Sequence, residues 1–150
     1  MSKAAHYQAL ENMYISAPVN QIYQPKILIK KAQAIIEIDL SSRYHHAAGA
    51  VHGSVYFKML DDAAFFAANS LEPEVFVLTT SFTTYMTRPI TDGIMRSVGK
   101  VVNKNRSQFI AEAVVYDEKD RELGRGNGIF VRSRSRLQDV AGYQIAGGNL

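Results

Sequence analysis

Two aspartates stand side by side at Asp61 and Asp62, behind three histidines at His45, His46 and His52 and a Gly53-Ser54 pair. A carboxylate shielded from water can act as a general base on a water molecule or attack an acyl carbon itself. Neighbouring residues on a helix point about 100° apart, so Asp61 and Asp62 cannot share one task. Lys58 lies three residues before Asp61 and four before Asp62, within reach of either. Two arrangements are open. Lys58 pairs with Asp62 and leaves Asp61 without a local partner, or both aspartates lie on one solvated stripe with Lys58 and Asn69.

The turn before this stretch supplies a second kind of chemistry. The first N–H groups of a helix lack internal partners and carry the positive end of its dipole. Gly53 has no side chain, so a carbonyl oxygen can approach its N–H closely and be stabilised as it becomes an oxyanion. The same residues also read as a Ser cap with a glycine in the turn.

Other chemistry fits less well. His45, His46, His52 and Asp61 are metal-ligand types, but adjacent histidines do not converge comfortably and Asp61 falls two turns into a helix. No metal and no cofactor are expected. A Ser–His–Asp hydrolase lacks its Gly-x-Ser-x-Gly elbow.

The elements that must hold these residues follow from periodicity. From Val55 to Leu71 there is no Gly or Pro, and Ala, Leu, Met and Phe predominate, which predicts a helix, apolar on nearly every side and so buried. Residues 3–15 read as a short amphipathic helix with Leu10, Met13 and Tyr14 on one side, and Ile22 to Lys26 as a connector. Ile27–Ile29 and Ala32–Leu40 read as strands. Four β segments follow at Val75–Thr87, Ile94–Val102, Ser107–Asp117 and Arg121–Arg132, separated by turn residues. One buried helix and a meander predict an α+β layer fold. Gly124, Gly126 and Gly128 share one face of the last strand, leaving it bare for tight curvature or for bulky Phe65 or Phe66. A phosphate-binding loop does not fit them, because no helix follows.

At 150 residues, 47% apolar and 21% charged, the chain has the composition of one globular domain. It has no cysteine, which excludes disulfide and thiolate sites. No apolar run reaches membrane-spanning length, and the opening residues lack a secretory signal core, so a cytoplasmic location is expected. A net charge of +3 suits a phosphate-bearing ligand but is too diffuse for nucleic acid.

The pattern His52-Gly53-Ser54, with Asp61 nine residues after the histidine inside an Ala-rich helix, resembles the hotdog-fold acyl-CoA thioesterases of the phenylacetate (PaaI-like) group. The stretch Thr79 to Pro89, ending in an aromatic, apolar, Pro order before Asp92-Gly93, is similar to that family's second strand. The resemblance spans roughly residues 35–132. It implies an antiparallel sheet wrapped around the central helix. The chain would then divide into an N-terminal helix and connector (1–22), a hotdog domain (23–134) and a mobile tail (135–150).

The resemblance implies hydrolysis of an acyl-CoA or other pantetheine thioester. Asp61 would be base or nucleophile, the Gly53 N–H would polarise the carbonyl, and His52 would shape the turn. An Asn lies six residues before the family's histidine; His46 stands there in this chain, which puts the orienting role in question. Ser54 replaces a frequent second glycine. Thr79, Thr80 and Ser81 are alternative sources of the family's hydroxyl near the water. Arg88, Lys104 and Arg106 are candidate substrate-binding cations. A non-catalytic acyl-CoA-binding hotdog protein and an enoyl-CoA hydratase or dehydratase remain as alternatives. Gly53 and Asp61 are separated by roughly 12 Å along the helix axis, too far to serve one carbonyl. A homodimer, or a dimer of dimers, sharing sites across a two-fold axis is therefore expected, in agreement with the family. No nucleic-acid or membrane partner is expected.

Overall fold

The longest helix, α3 (Gly53–Asn69), is organised by its small residues. Ala63, Ala64, Ala67 and Ala68 are fully buried along it, together with Met59 and Leu60. Alanine favours the helix and keeps its surface low, so a sheet can approach closely. The approach is closest at Gly99, where a Cβ would collide with the backbone of Ala63 and Ala64. The helix begins two residues earlier than its composition predicts, because the His52 ring caps it: the Ser54 N–H donates to Nδ1 over 3.0 Å.

The computed structural model describes residues 1–145. Before α3 come α1 (Lys3–Ser16), α2 (Asn20–Tyr23), β1 (Lys26–Lys30) and β2 (Gln33–Asp39). The short helix α2 occupies part of the expected connector; the Gln24 N–H closes it by donating to Asn20 O. After α3 come β3 (Val75–Met86), β4 (Ile94–Lys104), β5 (Phe109–Tyr116) and β6 (Glu122–Arg136). The six strands form one sheet in the order β1-β2-β4-β5-β6-β3, with every neighbouring pair antiparallel. Its concave side takes α3, which touches all six strands. This is the hotdog arrangement. Among the described residues no helix is long and apolar enough to cross a membrane.

Strand alternation places the core. On β5, Phe109, Ala111, Ala113 and Val115 are buried and face α3, while Ile110, Glu112, Val114 and Tyr116 do not. On β3 the alternation breaks. Thr79 lies opposite Phe130 and Ser81 opposite Ile129, so Thr80 is an extra, bulged residue. The bulge reverses the parity of the strand, and Phe82 comes to lie opposite Gly128. Phe82 is thus the ring over the bare face of β6. Its edge atoms fill the space where side chains at Gly126 and Gly128 would be, and Tyr56 approaches Gly124. The expectation that Phe65 or Phe66 uses that face is corrected: these rings pack elsewhere, Phe65 against Phe76 and Phe130, Phe66 against Tyr14.

Part of the expected mobile tail lies within the described residues. β6 continues to Arg136, Leu137 and Tyr143 are buried, and the Tyr143 hydroxyl lies 2.6 Å from His6 Nδ1. Tyr143 thereby ties this segment to α1. Gly147, Gly148, Asn149 and Leu150, also expected to be mobile, lie outside the described residues.

Candidate active site

The two aspartates of α3 separate as their 100° divergence requires. Asp62 Oδ2 accepts from Lys58 Nζ over 2.6 Å and from the Tyr14 hydroxyl over 2.7 Å. Lys58 also stands over the Tyr14 and Tyr23 rings, 5.2 and 5.1 Å from their centroids. Burial, then the Asp62 charge, push the Tyr14 hydroxyl well above its usual range, so it remains a donor. Asp62 is therefore committed to holding α1 against α3.

Asp61 has a different neighbour. The Thr79 hydroxyl donates to its Oδ1 over 2.9 Å from the inward face of β3. Among the described residues no group donates to its other oxygen. Burial raises the Asp61 carboxyl from 3.8 to about 6; the Thr79 bond opposes the rise, the Asp62 charge adds to it, and Lys58 opposes it. This is a carboxylate poised to gain and lose a proton near neutrality. The β3 bulge sets the three candidate hydroxyls apart, and only that of Thr79 bonds Asp61. Thr80 turns to Ile129 O, 3.2 Å away, and Ser81 falls on the opposite face from Thr79.

Asp61 and Thr79 line a cleft of about 780 Å³. Tyr14, Phe65, Phe66, Phe76 and Val140 give it a largely apolar wall. A cleft of this size and polarity is of the kind that holds a small-molecule ligand.

The turn before α3 is closely held. The His52 N–H donates to Tyr44 O, and Nδ1 caps the helix. Among the described residues no acceptor engages the Gly53 N–H. The Met86 thioether lies over the Cα of Gly53, in the space a Cβ would take. The three histidines do not converge. His45 Nε2 lies 2.7 Å from Thr91 O, and His46 Nδ1 accepts from the Ala48 N–H over 3.1 Å. His46 thus shapes its own loop.

Of the candidate cations, Arg88 is exposed past the end of β3, where its carbonyl accepts from the Tyr56 hydroxyl. Lys104 and Arg106 are at the β4–β5 hairpin, with Lys104 over the Phe109 ring. None of the three lines the cleft that holds Asp61. The sequence gives no sign of Tyr14 as partner to Asp62, 48 residues away, or of Val140 as a cleft residue; both come from tertiary packing. The methionine over Gly53 was equally hidden.

The family model of the thioesterase superfamily matches residues 48–123, which include His52, Gly53, Asp61 and Thr79. The chain belongs to the thioesterase superfamily. No curated protein matches it. Among solved structures, the PaaI protein from the phenylacetic acid degradation operon of Escherichia coli superposes with a TM-score of 0.78 at 15% identity, covering 88% of this chain and 98% of that one. A mutant of the phenylacetic acid degradation protein PaaI from Thermus thermophilus gives 0.71 at 20% identity, over 78% and 100% of the two chains. A thioesterase from Haemophilus influenzae gives 0.72 at 14% identity, over 80% and 85%. At these identities the likeness is one of fold, and it confirms the hotdog architecture.

Proposed function

We propose that this member of the thioesterase superfamily hydrolyses the thioester of an acyl-CoA or a related pantetheine-linked acyl group. The observation that carries the reading is Asp61. It is a half-buried carboxylate oriented by one hydroxyl, raised toward neutrality, and open to an apolar cleft. As a base, ionised Asp61 takes a proton from water while the water oxygen attacks the acyl carbon. The carbonyl oxygen becomes an oxyanion, the C–S bond breaks, and the proton passes to the departing thiolate. As a nucleophile, the same carboxylate forms an acyl anhydride that water then opens. Both routes give a carboxylic acid and a free thiol.

The oxyanion needs a donor, and the Gly53 N–H at the positive end of α3 is the one we assign. Gly53 and Asp61 of one chain lie roughly 12 Å apart along the helix axis, so one chain cannot readily present both to one carbonyl. A second copy related by a two-fold axis supplies Gly53 to the Asp61 of the first, and the reverse. The outer edge of β3, at the end of the sheet order, is a surface on which such a copy can pair. His52 holds the donor turn and Ser54 completes the cap. Arg88, Lys104 and Arg106 are the cations we assign to phosphates of the carrier.

Release of free thiol from a panel of acyl-CoA esters tests the proposal. Turnover of at least one ester is expected. Binding without thiol release supports a non-catalytic acyl-CoA receptor, and hydration of an enoyl-CoA supports a hydratase; either overturns the hydrolase.

A further inference from the structure

The segment after β6 walls one side of the cleft beside Asp61, through Val140, Ala141, Gly142 and Gln144. It is attached differently from the rest of the fold. Among the described residues its backbone joins no strand. The Val140 N–H donates to Leu137 O, the Tyr143 N–H to Val140 O and the Gln144 N–H to Gly142 O, all within the segment. Between the buried Leu137 and Tyr143, residues Gln138, Asp139 and Ala141 are exposed.

Side chains fasten the segment to α1. The Asn12 side-chain amide donates to Gln144 O over 2.6 Å, and the Tyr143 hydroxyl lies 2.6 Å from His6 Nδ1. Gly142 sits so close over Met13 and Ser16 that a Cβ there would strike the Ser16 hydroxyl. The two ends of the segment can act as pivots. The Leu137 N–H donates to Glu74 O, just before β3, and pins the start. Gly142 holds a φ of +85°, which glycine adopts at little cost.

A segment whose backbone bonds are its own can lift without breaking a strand ladder, so its opening costs far less than global unfolding. Resting on the reading of Asp61 as the reacting group, we propose that residues 138–144 are a strap. It swings about Leu137 to open the cleft and latches to α1 when it closes. The latch is Asn12 with Gln144 O and His6 with Tyr143. Open, the strap bares Met13 and admits or releases a ligand; closed, it completes the wall and keeps water from the carboxylate.

The chain has no cysteine, so a single introduced thiol reports cleanly. Met13 is 5% exposed, and its Cα is 3.2 Å from where a Gly142 Cβ would stand, so a thiol at 13 lies under the strap. Met13→Cys should react with iodoacetamide at a rate that urea below the unfolding transition does not change. Adding Asn12→Ala should raise that rate about fivefold. A rate that climbs steeply with the first urea added, or that Asn12→Ala leaves unchanged, overturns the strap. Should Met13→Cys not fold, hydrogen exchange in the unaltered chain reads the same motion. The Tyr143 and Gln144 N–H groups should exchange at least about a hundredfold faster than that of Ala113 on β5, and equal rates overturn the strap.

Closing the strap tests it as a gate. A Cβ at Gly142 would stand 3.4 Å from that of Ser16, near the span of a disulfide. With Ser16→Cys and Gly142→Cys combined, the oxidised protein should hydrolyse octanoyl-CoA at least about tenfold more slowly than the same protein after reduction. Equal rates in the two states overturn the gate. If the wild-type chain hydrolyses no ester, the thioesterase reading fails, while thiol labelling and hydrogen exchange still decide the strap.

Discussion

Thr79 reaches from β3 to Asp61 on α3, its hydroxyl 2.9 Å from Oδ1. One strand hydroxyl therefore aims the carboxylate whose neighbour, Asp62, is held by Lys58 and Tyr14. Replacing each aspartate by its amide separates reaction from architecture. Asp61→Asn should lower kcat by roughly 10²- to 10⁴-fold. Asp62→Asn should leave turnover near wild type and cost about 1–3 kcal/mol of stability, because a partly buried ammonium loses its partner. Thiol-release kinetics and urea unfolding of both variants check this, and a fully active Asp61→Asn chain would refute the mechanism.

The raised Asp61 carboxyl sets a pH profile. The ionised form is the reactive one, so kcat/KM should rise with pH and level off above about 6. Thr79→Val removes a bond that holds the carboxyl down, so the inflection should move to higher pH. A profile whose inflection does not move on that substitution would assign the limb to another group.

The same carboxyl makes a thermodynamic prediction of opposite sense. Its folded value of about 6 exceeds 3.8, so the fold favours the protonated form. That contribution is complete below pH 3.8 and is lost as pH rises through 6. Above that, ionised Asp61 costs on the order of 2 kcal/mol. Asp61→Asn should therefore raise Tm at pH 8, with the gain vanishing near pH 4. Calorimetry at the two pH values reads the sign directly.

His6 gives a second, opposite linkage. Burial lowers its folded value below 6.5, offset in part by the bond from its ring to Asn69 O and by the Glu72 charge. A lowered histidine favours the neutral form, so stability is present above pH 6.5 and falls below it. The urea midpoint should drop between pH 7.5 and 5.5 in wild type and drop less in His6→Gln.

Gly53 carries no positive φ, so its backbone does not demand glycine. The Met86 thioether that occupies the Cβ space is the end of a flexible side chain and can move. Gly53→Val should fold and lose activity, more so than Ser54→Ala. Mixing Asp61→Asn chains with Gly53→Val chains, each inactive alone, should restore partial turnover, since a mixed pair contains one intact site. No recovery after subunit exchange would place donor and base on one chain.

The helix and the meander are legible because their signals are local. An uninterrupted Ala-rich run predicts α3, and turn residues punctuate the strands. The Lys58–Asp62 pair is legible for the same reason, as an i,i+4 spacing. Thr79 could not be chosen from Thr80 and Ser81, because plain alternation puts Thr79 and Ser81 on one face. Only the bulge at Thr80, a property of pairing with β6, reverses the parity. The cleft walls were illegible for a longer-range reason. Tyr14 meets Asp62 on α3 and Val140 joins the cleft lining through tertiary packing, and neither pairing is encoded within its own segment.

β3 has one further consequence. From Val75 to Met86 it contains no charged residue and no proline, and it is bonded to β6 along one side. Leu78, Tyr85 and Met86 are exposed on it. Natural edge strands are usually guarded by lysine, proline or inward charge, since bare strand edges nucleate cross-β stacking. This edge has no such gatekeeper, so covering it also protects the chain from aggregation. A lysine at exposed Thr83 would keep dilute, uncovered chains soluble while weakening whatever strand pairs there.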